Sequence, residues 1–371
     1  MKPKRFECLR RFVAVSFLFS GAVYASGAAP PEGNPTILID QNGREVKIPA
    51  KVERVATLVI PAASMVLALD QGAGRLVGIH PASRAEIVDG MLGRFFPESK
   101  KIRADVVGEG FAPNVEALLA SKADLVVQWG DRGDAALSPI VKVGLPVLTL
   151  NSAGGGEIAA EWLRILGRGL TGRQARGEAL AEAILATRDE IAKSVAQIPE
   201  SRRPKVVYLY RRQGNAFQVA GGKTTVDSDI RLAGGVNPAS HLGAYVPVSA
   251  EQVLAWAPDI VLLGNFDKDL KPALLFESAL FASVPAVKEK RVYLYPRGGF
   301  RWDPPSQETP LAWRWLFALF HPDAPSAPLR DEIVETYRRL YGHTPTASEI
   351  GIIMRMIDNN DSLNYSKKFS P

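Results

Sequence analysis

Short apolar runs alternate with amphipathic segments along most of this chain. Strand-like runs fall at 55–59, 76–79, 124–128 and 147–150, and again at 205–210, 260–263 and 292–295. Helical periodicity marks 62–69 and 115–120 in the first half, and 312–320, 330–341 and the tail at 348–357 in the second. Strands that are apolar on both faces and separated by helices predict parallel sheets covered on both sides. Before them, the runs 37–40 and 45–48 flank Asn42-Gly43, a pair suited to the positive φ angles of a tight hairpin turn. The longest helical pattern lies between the two halves. Thr171-Gly172-Arg173-Gln174 reads as a capping box, Pro199 as a stop, and Leu180, Ile184, Ile191, Val195 and Ile198 share one face. About 26 residues at 1.5 Å rise would span roughly 39 Å, enough to run along both halves. The pattern predicts an α/β protein with two Rossmann-like lobes, mostly parallel sheets, and one long α-helix joining them.

One element recurs. Asn114-Val115-Glu116 opens a short apolar helix that leads to Asp124-Leu125-Val126, and Ser249-Ala250-Glu251 opens another that leads to Asp259-Ile260-Val261. Glu116 to Glu251 and Asp124 to Asp259 are both separations of 135 residues. A single recurrence at that distance is no solenoid, whose repeats run to roughly 20–50 residues. It indicates two similar lobes, each with a glutamate in the first turn of a helix. There a carboxylate gains about 0.3–1 kcal/mol from the helix dipole, which would explain either residue alone. The functional alternative is a pair of acidic knobs offered to a two-fold partner.

The first residues change the reading of charge. Lys2, Lys4, Arg5, Arg10 and Arg11 precede the apolar run 12–19, and Val23-Tyr24-Ala25 supplies small residues for cleavage. Residues 1–25 therefore read as a secretory signal peptide, too short to span a bilayer. Its removal takes five basic residues and one acidic residue from a chain of net +6, leaving +2, so no case for nucleic acid stands on charge. The single cysteine, Cys8, leaves with it, and with it any disulfide or thiolate chemistry. The expected domain plan is a Gly/Pro-rich leader, a lobe over 36–170, a connecting helix over 171–198, a second lobe over 204–342 and an extension over 343–371. The expected address is the periplasm.

Catalytic signatures are missing. The sequence has no Gly-x-Ser-x-Gly elbow and no His-Glu-x-x-His. Gly221-Gly222-Lys223-Thr224 fails as a phosphate loop because Phe217 stands where glycine is needed. His80, His241, His321 and His343 share no ligand spacing, so no metal site, cofactor or catalytic residue is expected. The ends of the predicted strands instead carry aromatics and arginines: Trp129; Tyr210-Arg211; and Tyr295-Pro296-Arg297 through Arg301-Trp302. Ligands of open parallel sheets bind beyond the carboxyl ends of the strands. Guanidinium forks with aromatic faces suit an anionic ligand with organic bulk.

In this order the segments Pro113-Asn114-Val115-Glu116, Ala123-Asp124-Leu125-Val126, Ala233-Gly234-Gly235-Val236-Asn237, Val248-Ser249-Ala250-Glu251, Pro258-Asp259-Ile260-Val261 and Arg291-Val292-Tyr293 make the chain resemble a known family. It resembles the periplasmic binding proteins of ABC importers for ferric siderophores, haem and cobalamin, over about residues 36–342. The resemblance implies a ligand in the cleft between the lobes, a monomer, and docking of Glu116 and Glu251 onto arginines of a dimeric inner-membrane permease. Ligand contacts are expected from Trp129, Tyr210, Arg211, Tyr245, Arg297, Arg301 and Trp302. The expected cargo is a metal chelate, with ferric siderophore first. Haem would use an axial Tyr or His, for which Tyr210, Tyr245 and His241 are candidates, and cobalamin would need flat apolar contacts. The stretches Phe300 to Ser306 and Tyr337 to Gly342 look like a branch in which some members resemble molybdate or tungstate binders, which need mostly donors. The alternative from another class is a secreted α/β enzyme.

Overall fold

The computed structural model describes residues 34–108, 111–214 and 216–370. The basic head, the apolar run and Cys8 lie outside them. Strands β1 (Thr36–Ile39) and β2 (Glu45–Ile48) form the antiparallel hairpin. Its turn is held by the buried Asp40 carboxylate, which accepts from the Asn42 and Arg44 N–H groups at 3.0 Å, while Gly43 takes φ 72°. The turn then tucks over the end of the first sheet: Asn42 Nδ2 donates to the Gly130 carbonyl, and the Asn151 N–H donates to Gln41 Oε1.

That first sheet comprises β3 (Val55–Thr57), β4 (Leu76–Ile79), β5 (Leu125–Trp129) and β6 (Val147–Leu150), all parallel, in the order β4-β3-β5-β6. The second holds β7 (Val206–Gln213), β8 (Ala216–Ala220), β9 (Tyr245–Ser249), β10 (Ile260–Leu263) and β11 (Val292–Leu294), in the order β11-β10-β7-β8-β9. Here the pairs among β7, β10 and β11 are parallel, while β8 and β9 add on antiparallel. Those two strands escape a search for apolar runs because β9 exposes alternate positions and β8 is short with Gln218 at its centre, and Pro247 within β9 reads as a breaker although an edge strand tolerates it.

The connecting helix runs Gln174–Ala196, 23 residues, or about 35 Å at 1.5 Å each. It starts later than the sequence suggests, because the predicted capping box does not form. Thr171 Oγ1 instead accepts from the Val52 N–H at 2.8 Å, and Arg173 stands at the N-cap without a side-chain cap. The buried face is Leu180, Ala181, Ile184, Thr187, Ile191 and Val195. Where this helix crosses the helix Ile158–Gly169, a Cβ on Gly177 would meet the Leu163 carbonyl at 2.6 Å, so only glycine permits the approach. A single hydrophobic core holds Leu125 of the first sheet and Ile260 of the second, so the two lobes share a continuous interior.

The recurring element has the same mechanics in both lobes. Asn114 and Ser249 cap the helices Val115–Ala120 and Ala250–Trp256 by accepting from the N–H groups of Ala117 and Gln252. Asp124 Oδ2 accepts from the Glu53 and Arg54 N–H groups at 2.9 Å, and Asp259 Oδ2 accepts from the Lys205 N–H at 2.8 Å. The matched aspartates therefore tie down the first strand of each sheet. The glutamates do no such work and stand exposed.

The segment after Gly342 packs against the second sheet. The Asn359 carboxamide pairs both ways with Leu294, accepting from its N–H at 2.7 Å and donating to its carbonyl at 3.0 Å, and Ser362 Oγ donates to the Val292 carbonyl. These side chains take the place of a neighbouring strand on β11, the outer strand of its sheet. The Ile353 carbonyl accepts from the Arg297 N–H at 2.8 Å, so the same segment also holds the turn that follows β11.

Candidate functional site

The carboxyl ends of the two sheets each carry a shelf of aromatic rings with guanidinium groups above it. In the first lobe Trp129, the last residue of β5, meets Phe111 edge to face at 6.4 Å, and Phe111 meets His80 at 5.0 Å. The Arg132 guanidinium lies over both rings, 5.1 Å from Phe111 and 5.9 Å from Trp129. Trp129 is 6% exposed, and its indole N–H is buried without a hydrogen-bond partner. His80 caps the helix Pro81–Val88 by accepting at Nδ1 from the Ala82 N–H, and burial lowers its pKa.

In the second lobe the shelf is longer. Tyr245, Tyr210 and Phe266 stack in succession, 4.4 Å and 4.5 Å between centroids. Arg211 lies 4.8 Å over Tyr210, and Arg301 lies 4.3 Å over Phe266. Contacts of this kind contribute about 0.5–2 kcal/mol each, more as water is excluded, and of the two arginines Arg211 stands exposed. Below the shelf, the buried Asp303 accepts from the Tyr208 hydroxyl at 2.8 Å and the Asn265 N–H at 3.0 Å, while its other oxygen has no partner. Burial raises the Asp303 pKa, and the nearby Arg301 charge opposes that shift.

The two shelves meet through one ion-pair cluster. Glu86, on the helix that His80 caps, is 4% exposed and sits between Arg301 Nη2 at 2.5 Å and Arg297 Nε at 2.8 Å. Both arginines belong to the turn after β11, which is fixed from behind by Glu308. That carboxylate is fully buried and accepts four hydrogen bonds, from the Gly299 N–H at 2.9 Å, Trp302 Nε1 at 2.7 Å, the Tyr337 hydroxyl at 3.1 Å and the Tyr341 hydroxyl. The approach is so close that a Cβ on Gly298 would fall 2.1 Å from Glu308 Oε2. Burial raises the Glu308 pKa, and its hydrogen bonds oppose the shift.

Some sequence expectations change here. Trp302 is 1% exposed and donates its indole N–H to Glu308, so it supports the turn from inside and offers no face to a ligand. Arg297 and Arg301 reach the inter-lobe region, but both are engaged by Glu86. Tyr210, Arg211, Tyr245 and Trp129 lie on the two shelves. Arg132 stands three residues past Trp129 at the same strand end, outside the expected contacts, while Phe111, Phe266 and Glu86 were missed. Phe266 lies a few residues beyond a strand and could have been found by extending the search past the strand end. Glu86 gives no sequence signal, because its partners are more than 200 residues away. Of the histidines, His321 is buried against the Ala233 carbonyl, His343 meets Glu349, and His241 is exposed. Among the described residues no group of three or more His, Cys, Asp or Glu side chains could hold a metal ion.

Glu116 and Glu251 stand on the exposed first turns described above. The Glu251 pKa is lowered by a hydrogen bond from its own N–H and by Ser249, consistent with an anionic knob. Beside it lies a groove of about 620 Å³ lined in part by Phe217, Pro247, Leu274, Leu280 and Phe281.

Two lobes on a shared core, joined by a long connecting helix and carrying aromatic and arginine side chains at their strand ends, have the architecture of a two-lobed, helix-linked solute-binding protein. The chain belongs to the periplasmic binding protein family, whose model matches residues 64–297. It is similar to the molybdate-binding protein MolA of Haemophilus influenzae, 24% identical over 330 residues that cover 83% of this chain and 91% of that protein. Its fold matches the crystal structure of a periplasmic solute binding protein from Veillonella parvula with a TM-score of 0.80 and 29% identity, covering 88% of this chain and 99% of that one. A periplasmic haem-binding protein from Roseiflexus matches with a TM-score of 0.58 and 23% identity, over 73% and 98% of the two chains. These relatives are transport-associated binding proteins, not enzymes. Members of the family bind small molecules and deliver them to membrane permeases, and the family implies the periplasm. Among the described residues no helix is long and apolar enough to cross a membrane.

Proposed function

We propose that this protein captures an anionic, organically ligated metal complex between its two aromatic shelves and hands it to a dimeric inner-membrane permease. The observation that carries the reading is the matched pair of shelves. Phe111 and Arg132, backed by the buried Trp129, on one side and Tyr245, Tyr210, Phe266 and Arg211, with Arg301 behind Phe266, on the other combine apolar ring faces with guanidinium groups. Such walls suit a flat chelate that carries negative groups at its rim. Haem fits that description, with Tyr210 or Tyr245 as the axial candidate, and a ferric siderophore, octahedral rather than flat, fits through its negative charge and the apolar faces of its ligand groups.

Residues 36–170 and 204–342 act in this reading as the two lobes, with Glu116 and Glu251 as the docking knobs at equivalent positions. A leader over 1–25 would bring the protein to the periplasm. The second reading is a bare oxyanion such as molybdate. It is supported by the relative of that name and by the paired arginines Arg297 and Arg301, which could serve as the donors an oxyanion needs.

Native mass spectrometry of protein purified from its own periplasm, followed by tryptophan-fluorescence titration, tests the reading. Ferric catecholate, haem, cobalamin and molybdate are the ligands. Micromolar or tighter binding of an iron chelate or haem, weakened at least tenfold by Tyr210→Ala, is expected. Binding of molybdate alone would replace the chelate reading with the oxyanion one.

A further inference from the structure

Glu86 engages two arginines of the turn after β11, and it comes from the opposite lobe. Its carboxylate is 4% exposed and lies between two guanidiniums, Arg301 Nη2 at 2.5 Å and Arg297 Nε at 2.8 Å. The fit is incomplete. Glu86 Oε2 has no well-directed hydrogen bond, and Arg301 Nε is buried with no acceptor. Two cations therefore face one anion, with donor capacity left over. A buried, under-satisfied ion cluster is a poor source of stability, since desolvation offsets much of the attraction. The arginine turn is also not free to adjust, because Glu308 grips Gly299 and Trp302, and Ile353 holds the Arg297 N–H. Glu86, at the other end of the contact, sits on a helix of eight residues in the first lobe.

We propose that Glu86 is a tethered competitor: its carboxylate occupies the anion subsite formed by Arg297 and Arg301, and cargo enters by displacing it. This rests on the reading that an anion is carried between the lobes, and it adds a selection rule to that reading. A monocarboxylate only exchanges one carboxylate for another. A ligand with two or more negative oxygens also supplies the acceptor that Arg301 Nε lacks and neutralises the second guanidinium. The cargo class is therefore di- or polyanionic. Release of Glu86 also breaks the ion cluster between the helix Pro81–Val88 and the arginine turn, so occupancy of the subsite and this inter-lobe contact are coupled. A latch shut about nine-tenths of the time lowers apparent affinity roughly tenfold.

The test compares wild type, Glu86→Gln, Glu86→Ala and the double variant Arg297→Gln/Arg301→Gln. Sodium molybdate and ferric citrate are titrated by calorimetry, and hydrogen exchange is followed over 81–88 and 296–302. Both Glu86 variants are expected to bind the probe that wild type binds about tenfold more tightly. The double arginine variant should lose it. Exchange should rise in both segments of Glu86→Gln and fall again when the probe is added. Should Glu86→Gln not fold, Glu86→Asp carries the same comparison, since its shorter side chain cannot span both guanidiniums. If an anion binds wild type and the Glu86 variants bind it equally or more weakly, Glu86 is not a competitor and the inference is wrong. If all four proteins bind cobalamin and neither anion, the anionic reading itself fails, and the inference falls with it.

Discussion

Asp229 offers a test of the lobe contact that needs no ligand. It lies on the helix Thr225–Leu232, is 5% exposed, and accepts from Trp313 Nε1 at 2.6 Å. It faces Gly156 of the loop after β6, close enough that a Cβ there would fall 2.3 Å from its Oδ1. Burial raises its pKa to about 7, the Trp313 hydrogen bond opposes the rise, and the Glu157 charge adds to it. In the unfolded chain an aspartate titrates near 3.9. With the folded value the higher one, the unfolded chain gives up its proton first as pH rises. The group's contribution is fully present below about pH 4 and is lost progressively up to about pH 7. Between pH 5 and pH 8 the loss covers about two pH units, or roughly 2.7 kcal/mol. Asp229→Asn keeps an acceptor for Trp313 and has no titration. Whatever constant cost the substitution carries cancels when the two pH values are compared. Urea unfolding of both proteins at pH 5 and pH 8 should therefore show the variant gaining about 2–3 kcal/mol relative to wild type at the higher pH. Parallel behaviour at the two values would mean that Asp229 is not held in a dehydrated lobe contact.

Three further outcomes follow from the geometry. Glu308→Gln replaces one acceptor oxygen with an NH2 group that faces buried donors and should cost about 2–5 kcal/mol in urea unfolding, with faster hydrogen exchange over 296–302; a loss under 1 kcal/mol would show that the turn is held by other contacts. Charge reversal of Glu116 and Glu251 together should abolish uptake while leaving ligand affinity unchanged, and uptake at the wild-type rate would remove both residues from docking. Asn359→Ala frees the Leu294 N–H and carbonyl at once and should cost about 2–4 kcal/mol in the same unfolding assay, unless water replaces the carboxamide and the loss is negligible.

The fold was largely legible because its signals are local. The helix Val115–Ala120 and the strands Leu76–Ile79 and Ile260–Leu263 appear where apolar runs and caps place them. The exceptions have physical causes. Strand β9 exposes alternate residues, β8 is short with Gln218 at its centre, and Thr171 is drawn from its helix to the Val52 N–H by tertiary contact. The site was legible only in part. Strand ends named Trp129, Tyr210 and Arg211, because a position after a parallel strand is a local property. Burial of Trp302 depends on Glu308, Tyr337 and Tyr341, and the engagement of Arg297 and Arg301 depends on Glu86 from the other lobe. Residue type alone assigned those three side chains to the ligand. Only the assembled chain shows that one is structural and that the other two already have a partner.

The side chains that complete β11 have a consequence for how damage to this protein should be interpreted. An open outer strand is a template on which a second chain can pair. Asn359 and Ser362 occupy that template with groups that cannot propagate a ladder, so the sheet ends there. Because Ile353 of the same segment holds the backbone of Arg297, the seal and the arginine turn form one mechanical part. A lesion between 353 and 362 should therefore show two symptoms together, self-association at high concentration and altered cargo handling.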